Sequence, residues 1–356
     1  MLSFFSLKNY RCFKEFSISP LERINLVTGM NNVGKTALLE SLFLFAGATN
    51  PSLAMSVNAF RGIGAVEVKT DLQSETPWSS LFNNFNEHDE IVMIGKMNNS
   101  KQRKLTIKIA RKQSELVIKS VPNQKKENFI LSEATGKMLE FEYINEAGKT
   151  IKSKMVLEPQ GIKFDRPPVI PWRAIFLAAR HQTNPAEDAK RFSNIEITLQ
   201  QDVLLKILNL IEPKLKRMTV GITADVPMIY GDIGLNRLLP LPIMGEGLVR
   251  VCSIVLAIAN APDGVVFIDE IENGVHHSIM EKLWIGIAEA ARQFNTQLFA
   301  TTHSRECIIA AHYAFSQSLV YDFLLHRLDR RNGIIEAKTY DKGTLSAAIQ
   351  TELEVR

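Results

Sequence analysis

The sequence is poor in cysteine. Cys12, Cys252 and Cys307 are the only three in 356 residues, widely separated and without a C-x-x-C pair. That excludes a disulfide-stapled scaffold and a cysteine-built zinc site, and it fits a reducing cytosol. Long apolar runs are also missing. The longest mostly apolar stretch, residues 251–261, falls well short of the ~20 residues a membrane helix needs and reads as a buried helix. The opening MLSFFSLKNYRCF holds no apolar run of signal-peptide length. A cytoplasmic protein without a membrane segment is the expectation. There is no internal repeat and no low-complexity tract. Nor does one sign of charge dominate: Lys and Arg number 42 against 38 Asp and Glu, a net +4. Such a balance permits a nucleic-acid partner without demanding one.

What remains is an ordinary globular composition, 46% apolar and 22% charged, long enough for about two domains or one with a large insertion. The chain is organised around residues 25–39, NLVTGMNNVGKTALL. Gly29-Met30-Asn31-Asn32-Val33-Gly34-Lys35-Thr36 fits G-x-x-x-x-G-K-[ST], with an apolar run before it and helical spacing after it. That is the strand, loop and helix context of a phosphate-binding loop. Gly29 and Gly34 allow the backbone to curl its N–H groups inward at phosphate oxygens. Asn31, Asn32 and Val33 complete the loop, and Ala37 follows it. A helix starting near Lys35 adds its positive end. Lys35 is placed to reach the β- and γ-phosphates of ATP, and the Thr36 hydroxyl to ligate Mg²⁺.

Upstream, residues 1–10 and 13–18 read as a hairpin feeding the strand before the loop, and Asn50-Pro51 ends the helix after it. From 62 to about 154 the pattern changes to short alternating runs at 91–95, 105–110, 115–119, 139–143 and 152–157, an antiparallel β region with one wet face. Lys96, Lys101, Arg103, Lys104, Lys108, Arg111, Lys112, Lys119, Lys125 and Lys126 make it basic. Two readings stand: a surface for nucleic acid or an acidic partner, or a solvated hairpin face whose lysines block edge-to-edge pairing. Aromatics are scarce there, which counts against a single-strand stacking platform. Prolines at 167, 168 and 171 mark a junction. Residues 174–179 read as a buried strand, and 186–218 as largely helical with a kink or break at Pro213. The remainder alternates: helix 247–260, strand 264–268, helix 279–294, strand 296–301, helix 306–314, then a strand pair and a short helix. That alternation marks a parallel α/β sheet.

Three further stretches carry chemistry. Val265-Val266-Phe267-Ile268-Asp269-Glu270 is a buried strand ending in two acids. Asp269 is placed to hold Mg²⁺ through its water shell, and Glu270 to orient or deprotonate the attacking water. Gln297-Leu298-Phe299-Ala300-Thr301-Thr302-His303-Ser304 brings His303 out at the same edge, within reach of a γ-phosphate. Met244-Gly245-Glu246-Gly247-Leu248-Val249-Arg250 precedes an apolar helix and offers a second anion site. Two such sites in one chain suggest a sandwich, with ATP on one protomer's loop covered by the Gly245 motif of another. A small-molecule phosphotransferase could use the same phosphate loop, but it would need neither that motif nor Glu270.

The set resembles the ABC-type ATPases of the RecF/SMC/OLD group, most closely the OLD-like AAA-type ATP-binding proteins of bacteria. The matching residues are Phe4-x-x-Leu7-Lys8-Asn9-Tyr10-Arg11-Cys12-Phe13, the phosphate loop, Gly245-Glu246-Gly247-x-x-Arg250, Ile268 to His276 (IDEIENGVH) and Thr302-His303-Ser304, in that group's order and over nearly the whole chain. The resemblance implies an α/β P-loop fold of ABC-head type with a mixed sheet and an inserted antiparallel β and helical lobe. Residues 1–60 and 241–356 would form the ATPase core, and 61–240 the insertion. It implies Gly245 and Gly247 as nucleotide-contacting residues of a signature loop, residues 272–276 as the dimer-facing D-loop, His303 as switch histidine and Arg11 near the nucleotide. Gln182 is the candidate Q-loop metal ligand. Where the wider group has a signature serine this chain has Gly245, so one direct γ-phosphate hydrogen bond is missing or comes from elsewhere, and slow hydrolysis is expected. No acidic cluster for a nuclease domain follows the ATPase motifs, so nuclease activity is not carried over. The resemblance thus implies an ATP-gated homodimeric switch in bacterial anti-phage defence, its output belonging to a separate nuclease or toxin. The alternative is a RecF-like DNA-binding clamp in repair or recombination.

Overall fold

The computed structural model describes residues 1–63, 76–111, 137–158, 161–165, 171–179 and 184–356. The strands are β1 (Leu2–Tyr10), β2 (Phe13–Ile18), β3 (Ile24–Gly29), β4 (Ile91–Met97), β5 (Gln102–Arg111), β6 (Lys137–Ile144), β7 (Thr150–Glu158), β8 (Gly161–Phe164), β9 (Ala174–Leu177), β10 (Arg217–Thr223), β11 (Val226–Asp232), β12 (Leu239–Pro240), β13 (Val265–Ile268), β14 (Gln297–Thr301), β15 (Phe323–Arg331) and β16 (Ile334–Tyr340). The α-helices are α1 (Lys35–Ala46), α2 (Leu53–Ala59), α3 (Pro185–Ile197), α4 (Gln201–Leu208), α5 (Glu246–Ala259), α6 (Met280–Gln293), α7 (Arg305–Ser316) and α8 (Lys342–Gln350).

The site is built on a six-stranded sheet in the order β16-β15-β3-β14-β13-β9, parallel except for β16. Successive residues of a strand point to opposite faces, and here each face meets its own core. In β13, Val266 and Ile268 enter one core, packed with α5, α6 and α7, while Val265 and Phe267 enter the other. That second core lies between the six-stranded sheet and a seven-stranded antiparallel sheet, β2-β1-β4-β5-β6-β7-β8. α1 fills the space between the sheets. Every α1 residue except Thr36 is buried, as expected of a helix apolar on all sides. Phe5 of β1 meets its Phe45 edge-on at 5.4 Å.

Gln297, wholly buried at the start of β14, ties the two sheets together. Its carbonyl oxygen accepts from the Leu2 N–H at 2.9 Å, and its amide donates at 2.8 Å to the Leu2 and Glu22 carbonyls.

Several sequence expectations change. Among the described residues of 61–240, the expected insertion, β4 pairs with β1 and continues the N-terminal hairpin's sheet, β9 joins the six-stranded sheet beside β13, and α3, α4 and β10 to β12 form a side layer. The strand at 174 is half-exposed rather than buried, with a neighbour on one side only among the described residues. The helical stretch breaks at residues 198–200, where Leu199 takes a positive φ, and α4 has ended before Pro213. The run at 115–119 lies outside the described residues.

Candidate functional site

Parallel strands deliver their loops to one edge of a sheet. β3 ends in the phosphate loop, β13 in Asp269-Glu270 and β14 in Thr301 to His303, all at the carboxyl edge. The loop's glycines are required by geometry. Gly29 has φ +137°, and a Cβ there would lie 2.4 Å from the Leu328 carbonyl oxygen. Gly34 has φ +108°, and a Cβ there would lie 2.7 Å from Cys12 Sγ and 2.8 Å from the Phe13 ring. Asn32 also takes a positive φ. No side chain caps α1, so its first N–H groups are left for an anion. Met30, Asn31 and Asn32 are exposed, while the Val33 and Ala37 side chains are buried and anchor the turn. Arg330 of β15, which no motif singled out, donates to the Asn32 carbonyl at 3.1 Å and braces the loop from outside.

Lys35 is folded back on the loop, donating to the Gly29 and Met30 carbonyls at 2.7 and 2.9 Å. Burial pushes its ammonium down to about 8, against the opposing pull of Asp269, Glu270 and Glu272. The Thr36 hydroxyl donates toward the Asp269 carboxylate, 3.1 Å from either oxygen. Burial raises the Asp269 pKa, opposed by hydrogen bonds from Thr301 and Thr36. A hydroxyl beside a carboxylate is an oxygen donor set suited to a hard cation such as Mg²⁺.

Thr301 joins the two acids. Its hydroxyl donates to Asp269 at 2.7 Å and accepts the Glu270 N–H at 2.8 Å. Glu270 itself has φ +49°, a conformation rare for a residue with a long side chain. Its carboxylate accepts from Asn273 Nδ2 at 2.6 Å, and His303 Nε2 stands 4.0 Å from it. The His303 N–H donates to Glu272 at 2.7 Å, fixing where that ring leaves the strand.

The other expected residues lie elsewhere. Gly245, with φ +122°, caps the start of α5, and none of the described residues occupies the space a side chain would take there. Gly247 packs toward Ile279 and Gly274, and Glu246 lies against Gly274, so the loop at Gly245 rests on residues 274–279 of its own chain. The Arg11 guanidinium faces α1. It pairs with the fully buried Glu40 at 2.8 Å and donates to Asn58 at 3.0 Å. Arg61 holds the same carboxylate at 2.7 and 3.0 Å, and burial still raises the Glu40 pKa. Gln182 lies outside the described residues.

The basic strand is answered by its neighbour. On the outer face of the antiparallel sheet, Lys108 lies opposite Glu140, and Glu140 opposite Lys154. Glu142 accepts Lys152 at 3.0 Å; Arg103, on the opposite face of β5, pairs with Glu146 at 2.6 Å. Lys112, Lys119, Lys125 and Lys126 fall outside the described residues. Among the described residues this face alternates in sign, the pattern of a solvated sheet surface.

Residues 24–308 match the family model described as "AAA domain, putative AbiEii toxin, Type IV TA system". A Helicobacter pylori protein named "ATP/GTP phosphatase" is 26% identical over 333 residues, 86% of each chain. Among solved structures, an SMC head bound to the C-terminal winged-helix domain of ScpA superposes with a TM-score of 0.51 at 11% identity, covering 98% of this chain and 99% of that one. The SMC head domain from Thermotoga maritima gives a TM-score of 0.46, also at 11% identity, over 96% and 99% of the two chains. The first of these likenesses shows the fold, a P-loop ATPase head of ABC type.

Proposed function

The chain belongs to the AAA-domain family whose model spans residues 24–308, and from that membership we propose that it is an ATP-hydrolysing switch that pairs around ATP and controls a separate effector. One observation carries the hydrolytic part. Thr36, Asp269, Thr301 and Glu270 form a continuous hydrogen-bonded chain from the phosphate loop to a candidate base. Thr36 and Asp269 are the oxygen donors that would hold Mg²⁺, directly and through its water shell. Bound there, Mg²⁺ supplies charge neutralisation at the phosphates. Lys35 supplies a second positive charge to the same phosphates. Glu270 accepts the proton of the attacking water, and Asn273 steadies its carboxylate. His303 stands beside it, a place from which it would reach the γ-phosphate. The name of the Helicobacter pylori relative supports hydrolysis as the reaction.

The pairing rests on α5. Its N-terminus is open, with Gly245 in a conformation only glycine holds comfortably, and such an end attracts a phosphate. ATP covered by that end from a second copy closes the dimer, and hydrolysis reopens it. With a glycine where the wider group has serine, turnover is slow, which suits a switch better than a motor. An OLD-like role in anti-phage defence, acting through a nuclease or toxin, follows from the resemblance of the motifs. A DNA clamp is the weaker reading, since Lys108 of β5 and Lys152 and Lys154 of β7 lie opposite acids of β6.

The test is native mass spectrometry of a Glu270→Gln chain purified with ATP and Mg²⁺ from its own host. The expected species is an ATP-loaded dimer carrying a second polypeptide. A nucleotide-free monomer would overturn the reading.

A further inference from the structure

α5 starts at the signature loop, and one turn into the helix it carries Arg250. That residue is 8% exposed. One of its terminal nitrogens donates to the main-chain carbonyls of both Asp269 and Glu270, at 3.4 Å each. Its Nε has no hydrogen-bond partner among the described residues. Holding a guanidinium out of water for two long hydrogen bonds is costly, and an apolar side chain would fill the space without that cost.

The contact falls on a sensitive peptide. Glu270 has a positive φ, its N–H is held by Thr301, and its carbonyl is held by Arg250. The direction in which the Glu270 carboxylate leaves the strand therefore depends on both grips. The Thr301 grip comes from the sheet and is fixed. The Arg250 grip comes from a helix whose far end is the signature loop.

Arg250 also has room to move. It lines a cavity of about 350 Å³ beside β9, and Asp188 and Ser253 line the same cavity. The Ser253 hydroxyl and Arg191 hold the Asp188 carboxylate. A guanidinium released from the two carbonyls would have a carboxylate to turn toward, which is the second arrangement that coupling between sites requires.

We propose that Arg250 is a positioning residue that ties one nucleotide site of the ATP-closed dimer to the catalytic glutamate of the other. The inference rests on the sandwich reading above. In that dimer the signature loop of α5 faces the partner's nucleotide, whereas Glu270 faces the nucleotide on its own phosphate loop. A nucleotide that draws the α5 N-terminus toward it moves Arg250, and Arg250 sets the Glu270 peptide. Each site then hydrolyses only when the other is filled.

The experiment compares wild type, Arg250→Met and Arg250→Lys for ATP affinity, mass in ATP, and steady-state phosphate release over a range of ATP concentrations. Wild type should pair in ATP and release phosphate with a Hill coefficient above one. Arg250→Met should keep its ATP affinity and its pairing, lose about tenfold or more in kcat, and release phosphate with a Hill coefficient of about one. Arg250→Lys restores the charge and should recover part of both. A paired Arg250→Met protein with wild-type kcat and cooperativity would overturn the coupling and leave the sandwich standing. ATP affinity falling in step with kcat would overturn it too, because that marks a general structural role. A wild type that stays monomeric in ATP removes the sandwich, and the coupling with it.

Discussion

The Thr36 hydroxyl lies 3.1 Å from both carboxylate oxygens of Asp269, although the two residues are 233 positions apart in the chain. Asp269→Asn keeps the shape of the pair and removes the charge. It should abolish most of the gain in ATP affinity on adding Mg²⁺, roughly 10–100-fold, while binding without the metal changes little. Nucleotide titrations with and without Mg²⁺ check this. An undiminished Mg²⁺ effect would place the cation elsewhere.

Lys35 links nucleotide binding to pH. Burial holds its ammonium at about 8 with no nucleotide bound, and phosphate beside it would favour the charged form. Below that value the side chain is charged before and after binding, so affinity should be flat. Above it a proton must be taken up, and the dissociation constant should rise by up to about tenfold per pH unit. Calorimetry in buffers of different ionisation enthalpy reads the proton directly. Constant affinity through about pH 9.5 would mean that Lys35 stays protonated on the empty loop.

Gly34→Ala puts a Cβ 2.7 Å from Cys12 Sγ and 2.8 Å from the Phe13 ring, at φ +108°. Strain of this kind costs ~1–3 kcal/mol. The loop should open, and ATP affinity should fall by roughly tenfold or more. Cys12→Ala should not restore it, because removing the thiol leaves the backbone conformation as it was. Full rescue by Cys12→Ala would make the clash, not the φ angle, the cause.

Charge reversal at Lys104 and Lys108 tests the sheet surface. Lys108→Glu places a carboxylate opposite Glu140 and should cost roughly 0.5 kcal/mol through like-charge pairing. The pair of substitutions should leave any retention on duplex or single-stranded DNA unchanged across a salt gradient. A salt-dependent loss of retention would revive the clamp.

His326 is wholly buried between Asn25 and Thr339, 3.2 Å from the first and 3.0 Å from the second. Burial holds the imidazole near 3, far below its ordinary 6.5. The unfolded chain binds this proton first, so the residue's contribution is fully present above 6.5. It is lost as pH falls, at up to ~1.4 kcal/mol per unit. His326→Gln should flatten the acid limb of a stability–pH curve. An unchanged limb would assign acid sensitivity to other groups.

The parts of the site legible in the sequence are those written in consecutive residues. The phosphate loop, Asp269-Glu270 and the approach to His303 each combine an apolar strand with a polar exit, so local pattern and chemistry coincide. Thr301 and Arg330 escaped because their roles lie in contacts made across the sheet. A lone threonine ending a strand, or an arginine in a basic hairpin, has no spacing that marks it. The sharing of sheets between 61–240 and the rest of the chain was hidden for a related reason. Alternation shows that β4 to β8 form a sheet, but not that the sheet is shared with β1. β9 reads as apolar and therefore buried, yet being last in strand order leaves one of its edges uncovered. The partners of Arg11, Glu40 and Asn58, are likewise contacts that its place in the motif does not show.

The place of β3 in the six-stranded sheet bears on how the protein is made. Its neighbours are β14 and β15, with Ile24 paired to Leu298 on one side and Phe323 on the other. At 5–20 residues per second, a ribosome finishes β14 roughly 15–50 s after β3, about 270 residues later. Throughout that interval the strand carrying the phosphate loop has no sheet to join, and Asp269 has no Thr301 to hold it. A nascent chain therefore cannot hold nucleotide in the mature way until β14 has been made. Such long-range closure also predicts slow refolding from denaturant and a strong benefit from chaperones during expression.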